Sequence, residues 1–131
     1  MTLTIRDSRA FGSLRPLLDA MRHCKVGGSV VYSTCTMSPA QNEHVVDAAL
    51  QKVARDNPDS LFGLVNLAPL AKLVSRAKPL NPIWARTVIA QRPHGLKVPS
   101  SFQFVPIGIQ ILPTIAANYG PSFMAKIKRY R

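Results

Sequence analysis

After Asp59 the chain contains no aspartate or glutamate: its six acidic residues (Asp7, Asp19, Glu43, Asp47, Asp56 and Asp59) all lie before Ser60. The 131 residues carry a formal charge of +11, and the acid-free half includes Lys72, Arg76, Arg86, Lys126, Lys128 and Arg129. A field of one sign over that half favours a polyanion such as RNA or an anionic membrane surface. The plainer reading is a solvated basic face or tail.

Other scarcities narrow the class. With two cysteines, Cys24 and Cys35, the chain is no secreted disulfide scaffold, and a reducing compartment is expected. No apolar run approaches the roughly 18 residues of a membrane-spanning helix. His23, Cys24, His44 and His94 have no metal-ligand spacing, so no metal site is expected. No glycine-rich phosphate loop occurs either, because Gly27 and Gly28 precede an apolar run where a phosphate cradle would follow one. The N-terminal arginines Arg6, Arg9, Arg15 and Arg22 suit a transit peptide superficially, but Asp7 and Asp19 interrupt them, and the segment reads as part of the domain.

What is present is an alternation of helix and strand. Leu14, Leu17, Leu18 and Met21 recur at helical spacing after a Ser13 cap, and Gly27 and Gly28 end that helix. Residues 29–33, SVVYS, are β-branched and aromatic without clean alternation, as in a buried strand. Ser38, Pro39 and Gln41 occupy the N-cap, N1 and N3 positions of a capping box, followed by the stripe Val45, Val46, Ala49, Leu50 and Val53 until Asn57 and Pro58. Helix, strand, helix is a slice of a doubly wound α/β fold, where chemistry gathers at carboxyl ends of strands.

Further on, a short strand is expected at 61–65 and a helix bearing Leu67, Leu70, Ala71 and Val74. Five prolines in 78–106 (Pro79, Pro82, Pro93, Pro99 and Pro106) indicate an extended basic loop in which Trp84 either touches RNA or packs on the body. Strands at 109–112 and 122–130 close the chain through a turn containing Asn118, Gly120 and Pro121. In the last strand Phe123, Ala125 and Ile127 share one face, and Lys126 and Lys128 the other.

Cys35 stands between Thr34 and Thr36 where the apolar strand runs out. A cysteine at such a position is a candidate nucleophile if its thiolate is populated, and a helix starting nearby favours the thiolate. The competing reading is a small buried packing residue, which Cys24 is also expected to be.

The stretch VGGSVVYSTCTMSPAQNEHVV resembles the signature of the Sun-domain (Nop/Sun) RNA cytosine-5 methyltransferases: a glycine pair, a strand, Tyr-Ser-Thr-Cys, a proline, then Asn-Glu and a helix. The end, ILPTIAANYGPSFMAKIKRYR, resembles that family's terminal hairpin, and its Ala-Asn-Tyr-Gly-Pro turn looks most like the mitochondrial ribosomal branch. The resemblance covers residues 8–57 and 107–131. It implies an α/β fold, the C-terminal portion of a class I S-adenosylmethionine-dependent (Rossmann-like) methyltransferase sheet. Residues 1–131 would be a partial domain retaining strands five, six and seven, in the spatial order five, seven, six, with a terminal antiparallel hairpin.

By the same resemblance Cys35 is the nucleophile that adds to carbon 6 of a cytosine, with Thr34 and Thr36 flanking it. Lys126, Lys128 and Arg129 join them as RNA-binding candidates, while Asn42 and Glu43 shape the turn and helix start. The family's glycine-rich methyl-donor loop and Asp-Ala-Pro-Cys turn do not occur in this sequence. S-adenosylmethionine is therefore expected in the complete enzyme and not on this chain alone. The implied partners are RNA, foremost ribosomal, and a helical-repeat termination-factor-like protein, in mitochondria and away from membranes. The alternative is a non-catalytic basic fragment that binds RNA or a ribosome-assembly partner.

Overall fold

The computed structural model describes residues 2–7, 14–38, 40–70, 86–90, 108–112 and 122–131. In chain order the elements are β1 (Thr2–Asp7), α1 (Leu14–His23), β2 (Ser29–Thr34), α2 (Glu43–Asp56), β3 (Phe62–Leu64), β4 (Arg86–Ala90), β5 (Gly108–Leu112) and β6 (Ser122–Arg129). The strands form one mixed sheet in the order β1-β2-β6-β5-β4, with β3 also paired to β6. β1 and β2 run parallel, joined through α1, and every other pairing is antiparallel.

β6 is the organising strand. One edge pairs with β2 along its length, Thr34 opposite Phe123 and Ser29 opposite Lys128. The other edge is shared: β5 takes its beginning, Gln110 opposite Phe123, and β3 takes its end, Leu64 opposite Ile127. β6 thus lies between β2 and β5, and the sheet holds more strands than the three expected from the resemblance.

Both helices cover one face of this sheet. Leu17, Leu18 and Met21 of α1 and Val46, Ala49 and Val53 of α2 meet Val30 and Tyr32 of β2 and Phe123, Ala125 and Ile127 of β6 in a single core. The alternation expected in β6 is realised, with Phe123, Ala125 and Ile127 fully buried and the residues between them partly exposed. On the opposite face a smaller cluster joins Leu67 and Ile109 to Val65 and Met124. Gly27, at φ 82, ends the first helix's connection in the left-handed region and donates its N–H to the Arg129 carbonyl at 2.8 Å.

Three expectations need correction. β1 was not foreseen: in TLTIRD the alternation of Thr2 and Thr4 with Leu3 and Ile5 is short and ends in charge, and the segment is ordered by parallel pairing with β2. β4 lies within the stretch read as a proline-rich loop; RTVIA is a β-branched run between prolines, and pairing with β5 outweighs the composition around it. The second helix starts four residues later than the capping box predicts, with Asn42 and not Ser38 at the N-cap position. Ser38 instead opens a turn, its carbonyl accepting the N–H groups of Gln41 and Asn42 at 3.1 Å each. Residues 68–70 are helical, but the remainder of that expected helix, Ser13, and the turn at 118–121 lie outside the described residues.

Gly108 shows how tightly β5 lies on β6. A Cβ there would sit 2.2 Å from the Met124 carbonyl oxygen, and backbone cannot swing aside as a flexible side chain can. Gly108→Ala is expected to destabilise the protein by about 1–3 kcal/mol. A lowered urea midpoint checks this; an unchanged midpoint would mean that β5 seats elsewhere.

Candidate active site

Tyr32, Ser33 and Thr34 finish β2, and the chain then bends at Cys35. Cys35 is exposed, whereas Cys24 is buried at 1% exposure. Packing therefore accounts for Cys24 and not for Cys35. The exposed thiol stands at the carboxyl end of a strand, ahead of the turn that leads into α2.

The turn behind it is held from inside. Asn42 is fully buried, and its side chain points back under the cysteine instead of capping α2. Its carbonyl oxygen accepts the Thr34 hydroxyl. Its Nδ2 donates to the Thr36 carbonyl at 2.9 Å and to Gln110 Oε1 of β5 at 3.2 Å. Gln110 in turn donates from Nε2 to the Ser122 carbonyl at 3.0 Å. Two outer ties complete the turn: Ser38 N–H donates to Thr36 Oγ1 at 3.1 Å, and Tyr32 OH donates to the Gln41 carbonyl at 2.7 Å.

Among the predicted site residues the structure thus groups Thr34, Cys35 and Thr36 around one amide. Thr34, at 3% exposure, has its hydroxyl proton committed to Asn42 and cannot donate it to a ligand without breaking that bond. The basic candidates lie elsewhere. Lys126 pairs with Val31 and Lys128 with Ser29, so along the strand they sit about 10 and 16 Å from the Thr34 end. Lys128 Nζ lies 5.4 Å from the Tyr130 ring centroid. Arg129 turns back into the fold, donating to the Cys24 carbonyl at 2.7 Å and stacking 5.5 Å from the Phe62 ring. It also lines, with Met21, Arg22, Val53 and Asp56, a depression at the end of the sheet away from Cys35.

Glu43 begins α2 beside Asn42. Burial holds its carboxyl above the usual range, against its own backbone hydrogen bond and the charge of His44. The folded state is penalised by this carboxylate above its raised pKa and relieved as pH falls through it.

A sequence reading passes over Gln110 and the inward side chain of Asn42. The available signal was a lone glutamine in an otherwise apolar strand, GIQIL, since a buried polar group needs a partner.

A free, exposed cysteine thus stands at a strand's carboxyl end, on a turn pinned to the sheet of an α/β protein. Comparison with known proteins makes that class specific. Residues 12–67 match the family model described as 16S rRNA methyltransferase RsmB/F. Over 114 residues the chain is 38% identical to the 5-cytosine rRNA methyltransferase nsun-4 of Caenorhabditis elegans, covering 86% of this chain and 20% of that protein. It is 32% identical over 113 residues to the 5-cytosine rRNA methyltransferase NSUN4 of Xenopus tropicalis, 86% of this chain and 22% of the relative. A shorter match of 38 residues, 29% of the chain and 12% of the relative, is 55% identical to the tRNA (cytosine(49)-C(5))-methyltransferase of Pyrococcus abyssi. The chain belongs to the Sun-domain family of RNA cytosine-5 methyltransferases, and it spans about a fifth of the length of the curated relatives it matches first.

The family uses S-adenosylmethionine, and the described residues do not fit it. The strand-to-helix turn after β2 is filled by the Asn42 side chain, and the left-handed glycine, Gly27, precedes β2 and does not follow it.

Proposed function

We propose that this chain supplies the nucleophile for cytosine-5 methylation of ribosomal RNA in mitochondria, with Cys35 as the attacking thiol. The observation that carries the reading is the exposure of Cys35 on a turn whose two flanking residues are tied to one buried amide. The relatives named as 5-cytosine rRNA methyltransferases support ribosomal RNA as the substrate class.

Carbon 5 of cytosine is a poor nucleophile while the ring is aromatic. A bond from Cys35 Sγ to carbon 6 breaks that conjugation and pushes electron density to carbon 5; loss of the carbon 5 proton later expels the thiolate and restores the ring. The chain's own part is this addition and elimination. Methyl transfer itself belongs to the complete enzyme, in which β2, β6 and β5 would be strands five, seven and six; their side-by-side order supports that reading. Lys126 and Lys128 lie on the sheet face away from the helices, where they add positive potential for the RNA backbone. The family resemblance also supports a helical-repeat, termination-factor-like partner.

Deleting the protein and mapping cytosine methylation in mitochondrial ribosomal RNA tests the proposal. Loss of a 5-methylcytosine, restored by the wild-type protein, is expected. An unchanged methylation pattern would remove it.

A further inference from the structure

In the register of the sheet, Thr34 of β2 is opposite Phe123 of β6, and Phe123 is opposite Gln110 of β5. The three residues form one row on the helix-covered face, about 10 Å from end to end at the usual strand spacing. Asn42 bonds to both ends of that row, accepting from Thr34 and donating to Gln110. The same Nδ2 holds the Thr36 carbonyl.

We infer that Asn42, braced by Gln110, is a positioning residue that sets where the Cys35 thiol stands. Both chain neighbours of Cys35 are fastened to one side chain, and that side chain is fastened to a strand 68 residues away. The role demands a carboxamide. It must accept at one end and donate twice at the other, which neither a carboxylate nor a hydroxyl can do. A carboxylate at this fully buried site would also face two acceptors, the Thr36 carbonyl and Gln110 Oε1, with its charge desolvated. The bracing explains why a strand of the terminal hairpin carries a glutamine, 6% exposed, in an apolar run. The consequence for chemistry is steep, because displacement of a reacting group by about 1 Å costs roughly 10²-fold in rate.

The inference rests on Cys35 being the nucleophile, but its test reads the thiol directly. Cys35 and Cys24 in the full chain are alkylated with iodoacetamide and with the bulkier N-ethylmaleimide across a range of pH, each site followed by peptide mass. Buried Cys24 reports opening of the whole fold and exposed Cys35 reports its turn. In Asn42→Ala and Asn42→Asp the pH–rate profile of Cys35, and its ratio between the two reagents, are expected to move to those of a free peptide spanning 31–42, with Cys24 still protected. Gln110→Met, which keeps shape and removes the brace, should move them in the same direction and less. In the complete enzyme Asn42→Ala should lower kcat by about 10²-fold while KM for RNA stays within about twofold.

Profiles in Asn42→Ala that superimpose on the wild type with Cys24 protected would overturn the inference. If Asn42→Ala exposes Cys24, Gln110→Met decides by the same criterion. Should ribosomal RNA methylation prove independent of this protein, the functional reading falls while the alkylation profiles still decide whether Asn42 places the thiol.

Discussion

Cys35→Ala is expected to abolish the covalent adduct between the complete enzyme and RNA containing 5-azacytidine, and to lower methyl transfer by on the order of 10⁴-fold or more. The addition to carbon 6 has no substitute once the thiol is gone. Cys24, the second cysteine, is 1% exposed, its thiol directed to the neighbouring Lys25 carbonyl at 3.5 Å, and cannot take over without unfolding the core. The substitution should leave the fold alone. An exposed side chain outside the polar network contributes within about 0.5 kcal/mol, so the thermal midpoint of the variant should match the wild type. Cys35→Ser sharpens the result: it keeps size and polarity but replaces a soft thiolate by a hydroxyl that stays protonated near neutral pH, and its activity should be as low as that of the alanine variant. Gel shift of denatured RNA–protein adducts and tritium transfer from the methyl donor measure the two effects. An undiminished adduct in the alanine variant would locate the nucleophile outside this chain's Tyr-Ser-Thr-Cys segment.

Much of this site was legible because its elements follow local rules. The apolar stripes Leu17, Leu18, Met21 and Val46, Ala49, Val53 are buried as their spacing requires, and the alternating face of β6 packs as its period of two dictates. The cysteine stood out through position alone, at the end of a β-branched run. What escaped the sequence depends on partners distant in the chain. β1 and β4 become strands through β2 and β5. Ser38 lost the N-cap to Asn42 although Ser-Pro-x-Gln is a proper local signal, because the residues after Cys35 are first required to carry Asn42 back beneath Thr34. Tertiary bonds outbid a local cap whose contribution is about 1 kcal/mol. The same logic separates the basic residues: a count of charge groups Arg129 with Lys126 and Lys128, whereas the fold spends the Arg129 guanidinium on the Cys24 carbonyl and the Phe62 ring.

Phe123→Ala is expected to be the most damaging of the core substitutions considered, costing about 3–5 kcal/mol. Against a typical total of about 5–15 kcal/mol this removes a large part of the stability of a small sheet protein. Phe123 is fully buried on the central strand, paired on both sides, and meets the Tyr32 ring edge to face at 6.3 Å and 69°. Truncation empties the middle of the Thr34–Phe123–Gln110 row, and neighbouring backbone fixed by two ladders cannot collapse into the gap. A urea titration of the full chain should show the midpoint falling by about 1–3 M with the slope unchanged. Phe123→Leu, which refills most of the volume, should cost about 1–1.5 kcal/mol. The coupling to the site is the stronger consequence. Asn42 bonds to Thr34 and Gln110, the residues paired on either side of Phe123, so a shift of those strands on loss of the ring would loosen both anchors of the amide. Stability losses from Phe123→Ala and Asn42→Ala should therefore fall short of additivity by more than the roughly 0.5 kcal/mol expected of independent sites. Strict additivity would show that the ring and the amide act separately, and that the core does not support the thiol through this row.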